Sequence, residues 1–452
     1  MQTSKDPCPG EFQPLNYRQT FCYLYHFDIF DVNVYFFLSN SDIVNKIIFK
    51  ENTRGEKEEI MDSCMDIENT GLRGIVVAST NIGEVDGSVG RLVYRGYLIK
   101  DLASKASFEE VVHLLLNEAL PTRDQLKPFS AQLAAERAVP PALIAALKTR
   151  PKEALPMDVL QACVSMLAHH DPEADDPSRE AAHRKALRLV AKLATVTAAW
   201  ERIRNGQEAI DPDPNLSHAA NFLYMMNGEV PDEDVAGFFD AALVMHAEHG
   251  FNASTFAARE IASTRAHMYA AVAGAVGSLS GELHGGANTR VMEMLMDIGS
   301  PDKVENYVNE QFDSGNRIMG LGHAVYKVDD PRALILAPMS KVVGERSGET
   351  KWYEMSALLE KVAKEEFKKR KGRDIYTNVD FYSASLYYMM GIPMDQFTPI
   401  FAIARVAGWT AHIIEEQFAE AAPKPMLYRP ESDYVGEYCG PEVCEFVPLE
   451  AR

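Results

Sequence analysis

The sequence predicts a mainly α protein with a small N-terminal β segment. Three observations carry that expectation. From Asp101 almost to the C-terminus, apolar residues recur at helical spacing, and Pro or Gly punctuates nearly every gap. Two β-rich runs, 72–79 (LRGIVVAS) and 91–97 (RLVYRGY), surround the turn formers Gly83, Asp86-Gly87 and Gly90. No segment repeats with a fixed period, which argues against a solenoid or propeller.

The elements follow in chain order. Residues 21–49 are crowded with aromatics and Asn and hold no Ala or Gly, unlike the Ala-, Leu-, Glu- and Arg-rich chain beyond residue 100. They read either as an added module of two or three aromatic strands or as a misassigned start. Gly55-Glu56-Lys57-Glu58-Glu59 precedes Met61, and the codons for Lys-Glu-Glu are purine throughout, as in a ribosome-binding tract. The expectation is therefore a native start at Met61 or Met65, with residues 1–60 an atypical extension. The small sheet comes next. Ser107, with Glu110 three residues later, opens a helix that stops before Pro121. Helices are then predicted over 124–135, 140–148, 157–169, 179–204, 215–226, 232–249 and 253–279. Later ones fall over 287–297, 301–314, 331–344, 349–369, 380–390 and 396–419. The stretch 261–281 is mostly Ala, Gly and Ser, so it is expected to run as a helix through a crowded centre or a subunit interface.

Composition excludes several classes. With 452 residues, 46% hydrophobic and 24% charged, the chain is globular and long enough to need no disulfide or metal for stability. Against 65 acidic residues it has 45 Lys and Arg, a net charge of −20, which argues against a nucleic-acid-binding body. Small anionic substrates require only that positive charge be gathered locally. The six cysteines (Cys8, Cys22, Cys64, Cys163, Cys439 and Cys444) form no CxxC pair and read as reduced thiols of a cytoplasmic protein. Cys439 and Cys444 have a spacing some zinc sites use, but no second pair of ligands lies nearby. No secretory signal and no uninterrupted apolar run of about 18 residues is present, so no membrane span is expected.

GxxxxGK[ST], GxSxG and HExxH are all missing. The histidines say more. His246 and His249 lie three apart in a predicted helix, a spacing that suits a satisfied core pair, a small-anion site or a metal. His284 stands between a helix end and Gly285-Gly286, where the next helix's N-terminus favours a neutral, hydrogen-bond-donating imidazole. An incidental His in a Gly-rich loop is the bland alternative. His323 follows Gly320-Leu-Gly322 and precedes Lys327 and Arg332, a local cationic cluster in an acidic chain. Arg332, after Pro331 at a helix start, can clamp a carboxylate bidentately. The run 361–373 holds seven basic and two acidic residues, either a solvated helix end or a grip on a phosphorylated cofactor. Asp380 opens an apolar helix as an N-cap or a general base. Arg405, within the apolar FAIARVAGW, requires an anionic partner from protein or ligand.

Five ordered blocks, MHAEHGFNAST, GELHGGAN, GLGHAVYKVDDPRA, NVDFYSASLYYMMGIP and FAIARVAGWTAHIIEE, resemble the citrate synthase and 2-methylcitrate synthase family. VDGSVGRLVYRGYLIKDLA is similar to that family's N-terminal region, so the resemblance runs from about residue 66 to the C-terminus. It implies a helical homodimer, with a large domain at 66–283 and 381–452 and a small domain at 284–380. The implied reaction condenses acetyl-CoA with oxaloacetate and hydrolyses citryl-CoA. By motif position, His284 resembles the donor to the thioester carbonyl, Asp380 the base, and His323 the residue that polarises the ketone. His249, Arg332 and Arg405 resemble oxaloacetate ligands, with Asn252 beside them and Arg429 contributed by the partner subunit. Lys327 and Arg373 resemble CoA-phosphate contacts, with Lys368, Lys369 and Lys371 nearby. The resemblance implies acetyl-CoA or propionyl-CoA as cosubstrate and no permanently bound cofactor or metal. The N-terminal segment does not resemble the regulatory β-domain of NADH-inhibited hexameric members, so a dimer is expected. Propionyl-CoA as donor, citrate cleavage and a non-catalytic helical scaffold are the competing readings.

Overall fold

In the computed structural model the residues described are 23–29, 32–38, 44–50, 71, 72, 74–323, 325–432, 434–436 and 447–451. Met61, Met65, Cys439 and Cys444 lie outside them. The chain divides into two compact units, Met1–Val76 and Val77–Arg452. The first contains an antiparallel meander, β1 (Tyr23–Ile29), β2 (Val32–Leu38) and β3 (Val44–Lys50), with a register irregularity between Phe36 and Leu38.

The second unit opens with a small antiparallel sheet, β4 (Gly83–Asp86), β5 (Arg91–Tyr94) and β6 (Tyr97–Leu98). The sequence run 72–79 forms no strand: the sheet starts later, at the turn formers themselves. Helices α1 (Ile99–Lys105) and α2 (Phe108–Asn117) follow. The predicted capping box is present in α2: Ser107 Oγ accepts from Glu110 N, and Glu110 accepts the Ser107 N–H at 2.8 Å. Next come α3 (Arg123–Ala135), α4 (Pro141–Lys148), α5 (Pro156–Ala168), α6 (Arg179–Arg204) and α7 (His218–Asn227).

The next three helices depart from the sequence expectation in two ways. Helix α8 spans Glu233–His246 and ends there, so His249 lies in the next turn and does not share a helix face with His246. The single helix expected over 253–279 is two, α9 (Ala253–Ser263) and α10 (Met268–Leu279). His267 caps α10 by accepting Ala270 N, and Arg265 takes the left-handed conformation in the break. The Ala- and Gly-rich face of α10 does pack centrally, against α9, α5 and α16 (Phe397–Phe418).

Between these lie α11 (Ala287–Ile298), α12 (Val304–Asp313), α13 (Pro331–Ser347), α14 (Lys351–Lys371) and α15 (Val379–Met389). Of the 22 residues of helix α16, 18 are buried, which marks it as a core helix. It is long and apolar enough to cross a membrane, yet almost all of that stretch is covered by protein. It packs on α6, α8, α9 and α10. Each fully buried Ile or Val along it stabilises by roughly 1.5–3 kcal/mol, which holds Arg405 and its neighbours at fixed depth.

Candidate active site

The site is assembled from four chain segments around helix α16, which supplies Arg405. The first is the turn after α8. Tyr94 of β5, fully buried, places its hydroxyl 2.8 Å from Glu248 O and 3.1 Å from Met245 O. Glu248 itself is buried, hydrogen-bonded to Gly250 N and, at 3.1 Å, to His412 Nε2 of α16. Helix α16 can approach this turn because residue 408 is Gly: its N–H donates to Ala247 O at 3.1 Å, and a Cβ there would lie 2.4 Å from that oxygen. His249 is thereby held beside His323, ring centroids 5.9 Å apart.

His284 is held from behind by α9. Asn252 caps that helix, accepting Thr255 N at 3.0 Å and Ser254 Oγ at 2.8 Å. Ser254 N donates to His284 Nε2 at 3.1 Å, and Ser254 Oγ lies 2.8 Å from the same nitrogen. Trp409 of α16 donates its indole N–H to Ser254 Oγ at 3.2 Å. A backbone N–H can only donate, so Nε2 is the acceptor and the proton of a neutral His284 sits on Nδ1. Gly285 lets the loop close: a Cβ there would sit 2.0 Å from Leu279 O.

The third and fourth segments are zipped together. Gly322 N donates to Tyr376 O at 2.7 Å, Asn378 N to Gly320 O at 3.0 Å, and Leu321 bridges Thr377. Asn378 Nδ2 donates to Gly322 O at 3.0 Å. Val325 and Tyr326 both donate backbone N–H to His323 Nδ1 at 3.0 Å, which leaves the proton of neutral His323 on Nε2. Asn378, rather than Asp380, caps α15, accepting Asp380 N at 3.1 Å. Asp380 lies in the first turn, its carboxylate accepting no hydrogen bond from the described residues.

Electrostatics sort these groups by role. Burial, aided by the charge of Arg405, lowers His284 to about 4. Burial and Arg332 lower His323 to about 4, and burial with both arginines holds His249 well below its usual value. All three are neutral donors near pH 7. Burial raises Asp380 to about 6, more than Arg332 and Arg405 pull it back. A carboxylate with that value is ionised at neutral pH and unusually basic.

The two arginines differ from one another in their partners. Arg332 is clamped by Asp330, the cap of α13: Nε to Oδ1 at 3.0 Å and Nη2 to Oδ2 at 2.7 Å. Burial opposes its charge, but that pair outweighs burial and raises its pKa. Arg405, 3% exposed, donates Nε to the carbonyl of His246 and forms no ion pair among the described residues. Burial lowers it to about 10, still fully charged at neutral pH. Of the two partners expected for it, protein or ligand, no protein ion pair is present among the described residues, though the Glu248 carboxylate acts on its charge. His246 stacks on Phe401, centroids 3.7 Å apart, a core role rather than a ligand pair with His249.

Among the described residues, the remaining candidates make no direct hydrogen bond to the three histidines or Asp380. Lys327 is exposed, its backbone N–H held by Gly87 O at 2.7 Å. Lys368 pairs with Asp374 at 3.0 Å and Lys369 with Glu366 at 2.9 Å, while Lys371 is exposed. Arg373 lies over Phe367, 5.6 Å from its ring centroid. Arg429 is exposed and bonds to no described residue. Its neighbour Tyr428 anchors the segment, hydroxyl to Glu416 at 2.7 Å and N to Ser263 Oγ at 3.2 Å. Asn252 spends its carbonyl oxygen on the α9 cap. Sequence reasoning missed Ser254, Trp409, Asn378, Asp330 and Tyr326. Asp330 and Asn378 were legible as local caps of α13 and α15, whereas Ser254, Trp409 and Tyr326 act through long-range contacts.

A sequence-family model described as "Citrate synthase, C-terminal domain" matches residues 71–431. The chain is 45% identical over 387 residues to the citrate synthase of Haloferax volcanii, covering 84% of this chain and 98% of that one. It is 38% identical over 384 residues to the 2-methylcitrate synthase of Mycobacterium tuberculosis, covering 85% and 94%. Among solved structures, the ternary complex of carboxymethyl coenzyme A and oxaloacetate with citrate synthase from Thermoplasma acidophilum superposes with a TM-score of 0.76 at 29% identity, covering 84% and 98%. With the family model spanning most of its length, the chain belongs to the citrate synthase family.

Proposed function

We propose that this chain condenses acetyl-CoA with oxaloacetate and hydrolyses the resulting citryl thioester, releasing citrate and CoA. The single observation that carries the substrate is Arg405: a buried guanidinium that forms no ion pair among the described residues, beside Arg332 and three neutral histidines. A buried cation is costly unless an anion joins it, and oxaloacetate brings two carboxylates. The enzyme class, acyl transfer by a Claisen-type condensation, follows from the family.

The roles follow from proton placement. His284 Nδ1–H donates to the thioester carbonyl oxygen while Asp380 removes a proton from the methyl carbon. Neither suffices alone: the α-proton is weakly acidic, and the hydrogen bond stabilises the enolate as charge develops. The enolate carbon attacks the ketone carbon of oxaloacetate, and His323 Nε2–H supplies the proton to the ketone oxygen. Water then cleaves the C–S bond, giving citrate and CoA thiol. His249, Arg332 and Arg405 hold oxaloacetate. Asn252 caps the helix beside them. Lys327 and Arg373, with Lys368, Lys369 and Lys371, meet CoA phosphates. Residues 284–380 are read as a small domain closing on 66–283 and 381–452, which excludes bulk water during condensation. Arg429, exposed on an anchored segment, is read as reaching the site of a second copy in a cytoplasmic homodimer.

Propionyl-CoA is the second donor to test, since one methylene in an apolar pocket discriminates by only ~1–3 kcal/mol. The experiment is thiol release by the purified full chain with oxaloacetate and either donor. Higher kcat/KM with acetyl-CoA is expected, and preference for propionyl-CoA would reassign the product to 2-methylcitrate. No oxaloacetate-dependent release with either would overturn the reading.

A further inference from the structure

Tyr326 touches both oxaloacetate-side histidines. Its backbone N–H donates to His323 Nδ1 at 3.0 Å, and its hydroxyl meets His249 Nε2 at 3.2 Å. Its ring centroid lies 4.7 Å from that of His323 and 5.7 Å from that of His249, closing a triangle with the 5.9 Å histidine pair. The side chain is 2% exposed. Among the described residues the hydroxyl forms no other hydrogen bond, and neither does the His249 ring.

We propose that Tyr326 is a positioning residue that fixes the ring orientation and the proton of His249 while its backbone fixes those of His323. This rests on the reading of the site as one that binds oxaloacetate. A neutral imidazole carries a single N–H, and the partner of one nitrogen decides which nitrogen holds it. Burial keeps Tyr326 protonated at any working pH, because desolvation raises its pKa. A phenol O–H is a stronger donor than an imidazole N–H, and an imidazole lone pair is a stronger acceptor than a phenol oxygen. The bond therefore runs from Tyr326 to Nε2, and the proton of His249 rests on Nδ1, the nitrogen left to donate to a substrate oxygen. His323 has the opposite arrangement, with Nδ1 accepting and Nε2–H free. One residue thus sets two histidines in opposite tautomers, and both present an N–H to the same small anion.

The test is Tyr326→Phe in the full chain, which keeps the ring and the backbone N–H and removes only the phenol oxygen. Losing one neutral hydrogen bond that orients a ligand group is expected to raise the KM for oxaloacetate about 3- to 10-fold. The KM for acetyl-CoA should stay within about twofold, because that donor meets His284 and Asp380. The second readout is the ring ¹⁵N spectrum of histidine-labelled, ligand-free protein, with His249 assigned through His249→Gln. The parent should show Nε2 of His249 unprotonated, the Phe variant a mixture of tautomers, and His323 no change. An unmoved oxaloacetate KM, an equal rise for both substrates, or a parent His249 protonated on Nε2 would each overturn the assignment. If the parent shows no oxaloacetate-dependent turnover, the proposed function falls, and the ligand-free spectrum still decides the tautomer.

Discussion

Replacing Asp380 by Asn separates the chemistry of this carboxylate from its cost to the fold. Burial moves the carboxyl from 3.8 to about 6, so the ionised form is disfavoured by about 3 kcal/mol in the folded protein, at 1.36 kcal/mol per pKa unit. The side chain is half-buried, so about 3 is an upper value. The sign follows from linkage. Because the folded value is raised, the folded state holds its proton more tightly than the unfolded chain. The destabilising contribution is absent below pH 3.8, grows as pH rises, and is complete above about pH 6. Asn cannot ionise and lacks it. At pH 8 Asp380→Asn should therefore melt higher than the parent, by up to about 4 °C for a chain this size. The gap should close as pH falls through 6 toward 4. Turnover should fall roughly 10²-fold or more at every pH, because the base is gone. In the parent, kcat/KM should lose its acid side near pH 6, where Asp380 takes up a proton. Thermal melts from pH 4 to 8, with thiol-release kinetics on the same preparations, measure both quantities. Unchanged turnover would remove Asp380 from the mechanism, and a stability gap independent of pH would refute the burial argument.

Other substitutions probe the supports. Ser254→Ala keeps the backbone N–H that holds His284 Nε2, so kcat should fall by less than about tenfold; a much larger loss would show that the hydroxyl holds the tautomer. Arg405→Leu should raise the KM for oxaloacetate far more than that for acetyl-CoA, and equal effects would argue against contact with the dicarboxylate. Gly408→Ala forces a Cβ to within 2.4 Å of Ala247 O, so the variant should lose about 1–3 kcal/mol or more of stability. A melt matching the parent would mean that α16 shifts freely. Lys327→Ala with Arg373→Ala should raise the acetyl-CoA KM and weaken its salt dependence, leaving the oxaloacetate KM in place; saturation curves at two ionic strengths decide it.

Much of this was legible in the sequence, for physical reasons. Helix α2 announced itself by Ser107 and Glu110, and α6 by an uninterrupted run, 179–204, between polar boundaries. Histidines flanked by glycine marked the loops that the fold brings together around His249. What stayed hidden depends on contacts far apart in sequence. The break at Thr264–His267 has no Gly or Pro, only Arg265 in a left-handed conformation that its composition does not advertise. The end of α8 at His246 is imposed by Tyr94, more than 150 residues earlier, holding the next turn. Arg405 called for an anion from protein or ligand, but only the folded chain shows that it forms no ion pair among the described residues.

The hydrogen bonds that anchor the reacting groups divide them into two sets. His323 and the first turn of α15, which carries Asp380, are zipped together at Gly322 and Asn378, while His284 is held by α9 and, through Ser254, by Trp409 of α16; α11, which follows His284, packs on α15. Asp380 and His284, the proposed base and donor, are thus fixed by different hydrogen bonds within one compact unit. Displacement by about 1 Å is enough to lower such a rate ~10²-fold. On the proposed mechanism, loosening either set of anchors would detune the pair without touching a reacting atom.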